Sequence, residues 1–185
     1  MKHLRKDDGY VLVYVLIVFT ILALVAGSIC AMALNNLKAQ KADVARMEAR
    51  YAAEGELQKF VAEVGALKVS TEEPYYDDSA AATSAATGLF YAAVAAFDHA
   101  PDAETGFDDL DVAVDVGQSQ VTVTIRFKTQ SIQTEITAVS KLILDSGYQK
   151  KSGEGEPDAY QGTCSLAENG WQYTSYDISY KEVPQ

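Results

Sequence analysis

YVLVYVLIVFTILALVAGSICAMAL, the segment from Tyr10 to Leu34, decides the fold. It is 25 residues long and contains no charged side chain. At ~1.5 Å of rise per residue, a helix of this length crosses a hydrocarbon core of about 30 Å with some tilt. The sequence therefore predicts a membrane-spanning helix over residues 10–34.

Charge is distributed unevenly on the two sides of this segment. Lys2, Arg5 and Lys6 precede it, whereas residues 38–185 carry 12 basic and 24 acidic groups. The positive-inside rule then places residues 1–9 in the cytoplasm and the C-terminal body outside the membrane. The whole chain of 185 residues has a net charge of -11, which argues against binding to a phosphate backbone. We expect no nucleic-acid partner.

Two other interpretations of the apolar segment stay open. Ala31-Met32-Ala33 fits the small-x-small pattern of a cleavable secretory signal, although the apolar run is longer than the ~7–15 residues usual in such signals. Cys30 would be the modified residue of a lipoprotein signal, but Ile29 precedes it where a small residue is expected.

Helical periodicity continues beyond the apolar segment. Apolar residues recur three or four positions apart from Leu34 to Leu67, charged residues lie between them, and no proline occurs before Pro74. This pattern predicts one helix of roughly sixty residues. Residues 10–34 would be apolar all round. Residues 35–68 would be amphipathic, with a stripe that the rest of the chain must cover.

The residues before and inside this helix resemble the type IV pilin and type II secretion pseudopilin family. A short charged leader ends at Gly9, an aromatic residue follows at Tyr10, and the helix is first apolar and then amphipathic. The run Tyr51-Ala52-Ala53-Glu54-Gly55 looks like the tyrosine-alanine-alanine-glutamate-alanine-glycine run of minor pilins. The resemblance covers residues 1 to about 68.

This resemblance implies a structural subunit with no catalytic site and no cofactor. The leader, residues 1–9, would be cleaved after Gly9 by a prepilin peptidase, and Tyr10 would be N-methylated. The apolar helices would leave the membrane lipid and pack with other pilin or pseudopilin subunits in a fibre, through an inner-membrane assembly platform. The implied fold is α+β, with the long helix packed on a small antiparallel sheet.

Two positions depart from the family pattern. The leader ends in Asp7-Asp8-Gly9, where the family more often has a basic residue before the glycine. Tyr14 stands where major pilins carry a glutamate that neutralises a neighbouring subunit's amino terminus. Certain minor, tip-located pseudopilins share the absence of that glutamate. We therefore expect a minor subunit at the fibre tip rather than a major one.

Residues 69–185 are predicted to form the extracytoplasmic head. A polar stretch containing Pro74 ends the first helix, and a second helix is expected within Ser79–Ala100, capped by Ser79 and loosened near Gly88. The apolar period then changes to two. It predicts a three-stranded antiparallel meander from the runs Leu110–Val116, Val121–Phe127 and Ile132–Leu144.

The remaining head sequence is less regular. Ser146–Gly162 is predicted to be an exposed loop because it is rich in glycine and charge. The aromatic run from Trp171 to Tyr180 has a mixed period, which fits one last strand or an ordered tail. Its large side chains would lie at the edge of the core or form a contact surface for neighbouring subunits, and the sequence leaves both open.

Few residues suggest catalysis or metal binding. Cys30 lies in the apolar segment and Cys164 in the head, so no disulfide is expected within the head, and Cys164 is predicted to be a buried thiol. Outside the leader, His99 is the single histidine, too few for a triad or a zinc site. The acidic clusters Asp77-Asp78 and Asp108-Asp109-Asp111 match no calcium-loop spacing.

The sequence therefore predicts a non-enzymatic minor pilin or pseudopilin. The alternative is a single-pass, membrane-anchored extracellular interaction domain that never enters a fibre.

Overall fold

The fold is α+β, as the sequence predicts. The computed structural model describes residues 8–97, 106–128, 132–153 and 157–182. One long helix is followed by a shorter helix and a curled, five-stranded antiparallel sheet. The described residues form two compact units that divide between Ala45 and Arg46.

The elements have the following bounds. The helices are α1 (Asp8–Ala66) and α2 (Ser79–Ala95), and the strands are β1 (Lys68–Ser70), β2 (Phe107–Asp115), β3 (Gln120–Lys128), β4 (Ile132–Lys150) and β5 (Tyr160–Glu182). The strands lie in the order β1-β5-β4-β3-β2, and each neighbouring pair is antiparallel.

Helix α1 is continuous over 59 residues, in agreement with the predicted single helix. Within the second unit, one stripe of small and large apolar residues at helical spacing is buried. This stripe contains Ala49, Ala53, Leu57, Phe60 and Val64. Its centre is Phe60, whose ring meets Phe97 at 5.5 Å and Trp171 at 5.8 Å, both edge to face. The amphipathic part of the helix is thus covered by the rest of the chain, and α1 ends at Ala66.

The predicted three-strand meander is present as β2, β3 and β4. Val114 pairs with Val121 across the first turn, and Ile125 pairs with Ile136 in the next ladder. Every second residue of β3 is buried, and the same alternation holds for β4 from Ile132 to Leu142. One face of these strands therefore supplies the sheet's contribution to the core.

The sheet is larger than predicted because β4 and β5 are both long strands and pair with each other. The exposed loop expected over 146–162 is wrong at both ends, since β4 continues through Lys150 and β5 begins at Tyr160. The backbone N–H and C=O groups of this segment take part in the ladder between β4 and β5, which pairs Asp145 with Ser165 and continues to Lys150 with Tyr160. Pairing across the sheet outweighs the weak strand propensity of its glycines and charged residues.

Strand β5 contains two irregularities, and the second explains the mixed period of its aromatic run. Leu142 pairs with Trp171 and Leu144 with Leu166, so residues 167–170 of β5 lie opposite Ile143 alone. Asn169 has a φ of 57°, and a Cβ on Gly170 would lie 2.3 Å from the Ile143 carbonyl oxygen. The second irregularity lies within the aromatic run, where Ser140 pairs with Tyr173 and Val139 with Ser175. The extra residue, Thr174, interrupts the two-residue period at that point.

Helix α2 differs from its prediction in two details. Its N-cap is Asp78 rather than Ser79, because the Asp78 carboxylate accepts hydrogen bonds from the backbone N–H groups of Ala80 and Ala81, each at 3.2 Å. The helix is also continuous through Gly88. Its buried face, which includes Ala82 and Phe90, packs against the sheet.

Candidate functional site

The apolar part of α1, residues 10–34, lies in the first unit and is exposed along its whole length. Tyr10 is 84% exposed and Leu12 71%. The hydroxyls of Thr20 and Ser28 donate to the carbonyls of Leu16 and Leu24, at 2.8 and 2.9 Å. Such back-bonding lets a hydroxyl lie in lipid without a water partner. The helix is long and apolar enough to cross a membrane.

Gly9 and Tyr10, the predicted cleavage position, lie in the first turn of α1. The first N–H groups of a helix have no acceptor within the helix, so this turn unwinds at low cost. An extended conformation, which a peptidase needs, is therefore accessible at this bond. Residues 1–7 of the predicted leader lie outside the described part of the chain.

Tyr14 lies one helical turn after Tyr10 and is 71% exposed. Residues 10–34 contain no carboxylate. An amino group at Tyr10 would therefore find no acidic partner on an identical apolar segment.

The run from Tyr51 to Gly55 is divided between the core and the surface. Ala53 is fully buried, whereas Ala52, Glu54 and Gly55 are half-buried and Tyr51 is exposed. Ala53 belongs to the buried core, whereas a Cβ on Gly55 would meet no atom within 4 Å. Glu54 lies at the flank of the buried stripe. The run thus supplies both packing and one polar contact.

That polar contact joins α1 to β5. The Glu54 Oε1 atom accepts a hydrogen bond from Arg50 Nε at 2.8 Å and another from Tyr176 Oη at 3.2 Å. Burial, followed by the nearby negative charge of Glu54, raises the pKa of Tyr176 to about 12. No local pattern predicts this pair, because its members are 122 positions apart.

The sequence left core edge and contact surface as alternatives for the aromatic residues of β5, and the structure places these residues in two environments. The ring of Trp171 packs on Phe60 at the edge of the core. Further along the strand, Tyr173, Tyr176 and Tyr180 are each more than two-fifths exposed. Between the first two of these tyrosines and α1 lies an open cavity of about 320 Å³, lined by Glu54, Leu57, Gln58, Tyr173 and Tyr176. We call it the Glu54 cleft.

One residue of each acidic cluster has a local structural role. Asp78 caps α2, and Asp109 forms an ion pair with Arg126, whose Nε donates to Glu135 at 2.9 Å. These contacts raise the pKa of Arg126 and connect three strands on the polar side of the sheet. Among the residues that the structure describes, no three histidine, cysteine or acidic side chains are grouped so as to hold a metal.

The two cysteines are both free. Cys30 is exposed on the apolar part of α1, and Cys164 is buried, as predicted. Burial raises the pKa of the Cys164 thiol, which keeps it protonated and unreactive. His99 lies outside the described residues.

Comparison with protein-family models, with curated proteins and with solved structures found no match to this chain. Its relation to the pilin family therefore remains a prediction from the residues of its leader and first helix.

Proposed function

We propose that this protein is a structural minor subunit of a type IV pilus or a type II secretion-like fibre. After cleavage following Gly9, its apolar helix would leave the lipid and enter the fibre core. The chemistry of assembly would be the burial of apolar helix surface rather than a reaction. The partners would be lipid, a prepilin peptidase, an assembly platform and other subunits.

One observation carries this proposal: α1 is a single helix, and the chain itself buries a stripe of one part but leaves the other part uncovered. From Ala49 to Val64, one stripe is buried by the chain's own head. From Tyr10 to Leu34, every residue is exposed. An uncharged surface of this size must be covered by lipid or by other apolar helices. In a subunit that moves from membrane to fibre, lipid would cover this surface first and the apolar helices of other subunits would cover it afterwards.

Tyr14 supports a place at the fibre tip. A charged amino group in an apolar core is costly unless a carboxylate pairs with it. With tyrosine at this position, the subunit offers no carboxylate to a neighbour's amino terminus. It would therefore be disfavoured in the shaft, where each subunit must make that pair.

Fibre recovery from cells tests the proposal. Sheared surface fibres from cells expressing the natural chain should contain it, and Gly9→Leu should leave it uncleaved in the membrane fraction. His3→Leu, a substitution in the leader at a position with no assigned role, serves as the matched control and should behave like the natural chain. If the natural chain, like the Gly9→Leu variant, is recovered only from membranes, this result would contradict the proposal.

The second candidate is a single-pass anchored interaction domain. The exposed tyrosines of β5 favour it, because aromatic residues are enriched in contact surfaces. In this case neither the natural chain nor Gly9→Leu would be cleaved, and both would remain in the membrane fraction.

A further inference from the structure

The Glu54 cleft combines an apolar wall with a single carboxylate. Its volume of about 320 Å³ lies at the lower end of the ~300–1,000 Å³ typical of ligand pockets. It therefore suits one inserted side chain better than a large cofactor. All of its lining belongs to the second unit.

The carboxylate of Glu54 is held in place, but only one of its two oxygens accepts hydrogen bonds from described groups. Arg50 and Tyr176 both donate to Oε1, and no described group donates to Oε2. Two hydrogen bonds on one oxygen fix the orientation of the carboxylate. The other oxygen keeps its capacity to accept a charge-assisted hydrogen bond.

The walls of the cleft suit a cation with an aliphatic stem. The rings of Tyr173 and Tyr176 stand nearly perpendicular, at 85°, with centroids 6.4 Å apart. They are 51% and 41% exposed, while Leu57 is buried beneath them. Methylene groups can pack against these surfaces, and a cation gains from the face of a phenol ring.

We propose that the Glu54 cleft binds a lysine or arginine side chain of a partner polypeptide. The free Oε2 selects an N–H donor, so a quaternary ammonium group would satisfy the rings but leave this oxygen without a partner. An anion would be repelled by Glu54 and by the acidic excess of the head. Arg50 bonds only Oε1, through an exposed i,i+4 pair, a type of contact that is weak in water.

This inference is independent of fibre assembly, because every group in it lies on the head and on the adjoining stretch of α1. The test uses the full chain in uncharged maltoside micelles, with tyrosine rings labelled for NMR. The probes are acetyl-Gly-X-Gly-amide peptides, in which X is lysine, arginine, norleucine or trimethyllysine. The lysine and arginine peptides should shift the Tyr173 and Tyr176 signals saturably, with dissociation constants on the order of millimolar.

Variants assign the effect to the cleft. Glu54→Gln should weaken binding roughly tenfold or more, because it removes the charge and keeps the shape. Glu48→Gln makes the same charge change on an exposed position of the same helix and should leave binding unchanged. Arg50→Gln should strengthen binding, since it removes a competing cation. Tyr173→Leu keeps the Glu54–Tyr176 hydrogen bond and should weaken binding several-fold, so the test stands even if Glu54→Gln unfolds.

Three results would overturn the proposal. The first is the absence of saturable shifts with the lysine and arginine peptides. The second is equal binding of norleucine, which would show an apolar site, or of trimethyllysine, which would show that Oε2 is not used. The third is binding that is insensitive to both Glu54→Gln and Tyr173→Leu.

Discussion

Tyr176 donates a hydrogen bond from its Oη to Oε1 of Glu54, 3.2 Å away, and so ties the last strand of the sheet to the first helix. The same carboxylate oxygen accepts from Arg50. The three side chains hold β5 against the flank of α1 next to the buried Ala53 and Leu57. The contact joins the beginning and the end of the second unit, because residues 46–66 of α1 open that unit and β5 is its last strand.

A double-mutant cycle on Glu54→Ala and Tyr176→Phe should give a coupling free energy of about 0.5–1 kcal/mol. The value is modest because Tyr176 remains 41% exposed. Urea unfolding of the full chain in micelles, followed by the fluorescence of its single tryptophan, Trp171, measures it. Additive single effects would mean that the two side chains do not interact in solution.

The Tyr176 phenol should titrate at about pH 12, above its ordinary pKa of 10. Since the folded state favours the neutral phenol, its stabilising contribution is complete below about pH 10 and is lost as the pH rises through about 12. Tyrosinate absorbance of the natural chain, with Tyr176→Phe as the difference, measures this titration. Glu54→Gln should lower the pKa of Tyr176 and Glu48→Gln should not. An unchanged pKa in Glu54→Gln would contradict the assignment.

Gly162→Ala should destabilise the head by about 1–3 kcal/mol, because a Cβ there would lie 1.9 Å from the backbone oxygen of Ala82. Helix α2 would have to move away from β5. Gly147→Ala on the neighbouring strand is the control, since its Cβ would meet only the Thr163 hydroxyl at 3.7 Å. Urea unfolding of both variants checks this, and equal effects would show that α2 does not pack this closely on β5.

The sequence predicts those features that depend on local periodicity. Helix α1, strands β2 and β3, and β4 as far as Leu144 follow from unbroken periods of 3.6 and 2. Strand β5 was only partly predicted, because the extra residue Thr174 interrupts the alternation of its aromatic run. The cap at Asp78 was missed by one residue, since Asp78 and Ser79 both carry a suitable oxygen and only geometry selects between them.

The candidate functional residues fall into two groups in the same way: some are recognisable from local sequence, and others depend on long-range contacts. Gly9, Tyr10, Tyr14 and the run from Tyr51 to Gly55 are recognisable in the sequence because their spacing along one helix is local. The Glu54 cleft is not, because it needs the pairing of β5 with β4 and the packing of β5 beside α1. Long-range contacts of this kind leave no signature in a single sequence.

Tyr14→Glu should increase the number of copies per fibre, because the new carboxylate could pair with a neighbouring amino terminus within the apolar core. Quantitative mass spectrometry of sheared fibres, normalised to the most abundant subunit, measures the ratio. Tyr14→Gln has a similar shape without the charge and should leave the ratio unchanged. An equal rise in both variants, or in neither, would argue against placement at the tip.

The mass of the N-terminal peptide of the mature protein, isolated from its own cells, tests the central claim most directly. If α1 is processed for assembly, the chain begins at Tyr10 and carries one methyl group on its amino nitrogen. A chain that retains Met1 would indicate a permanent membrane anchor, and a chain that begins at Leu34 would indicate a cleaved secretory signal. Either of these two results would contradict the fibre-subunit proposal.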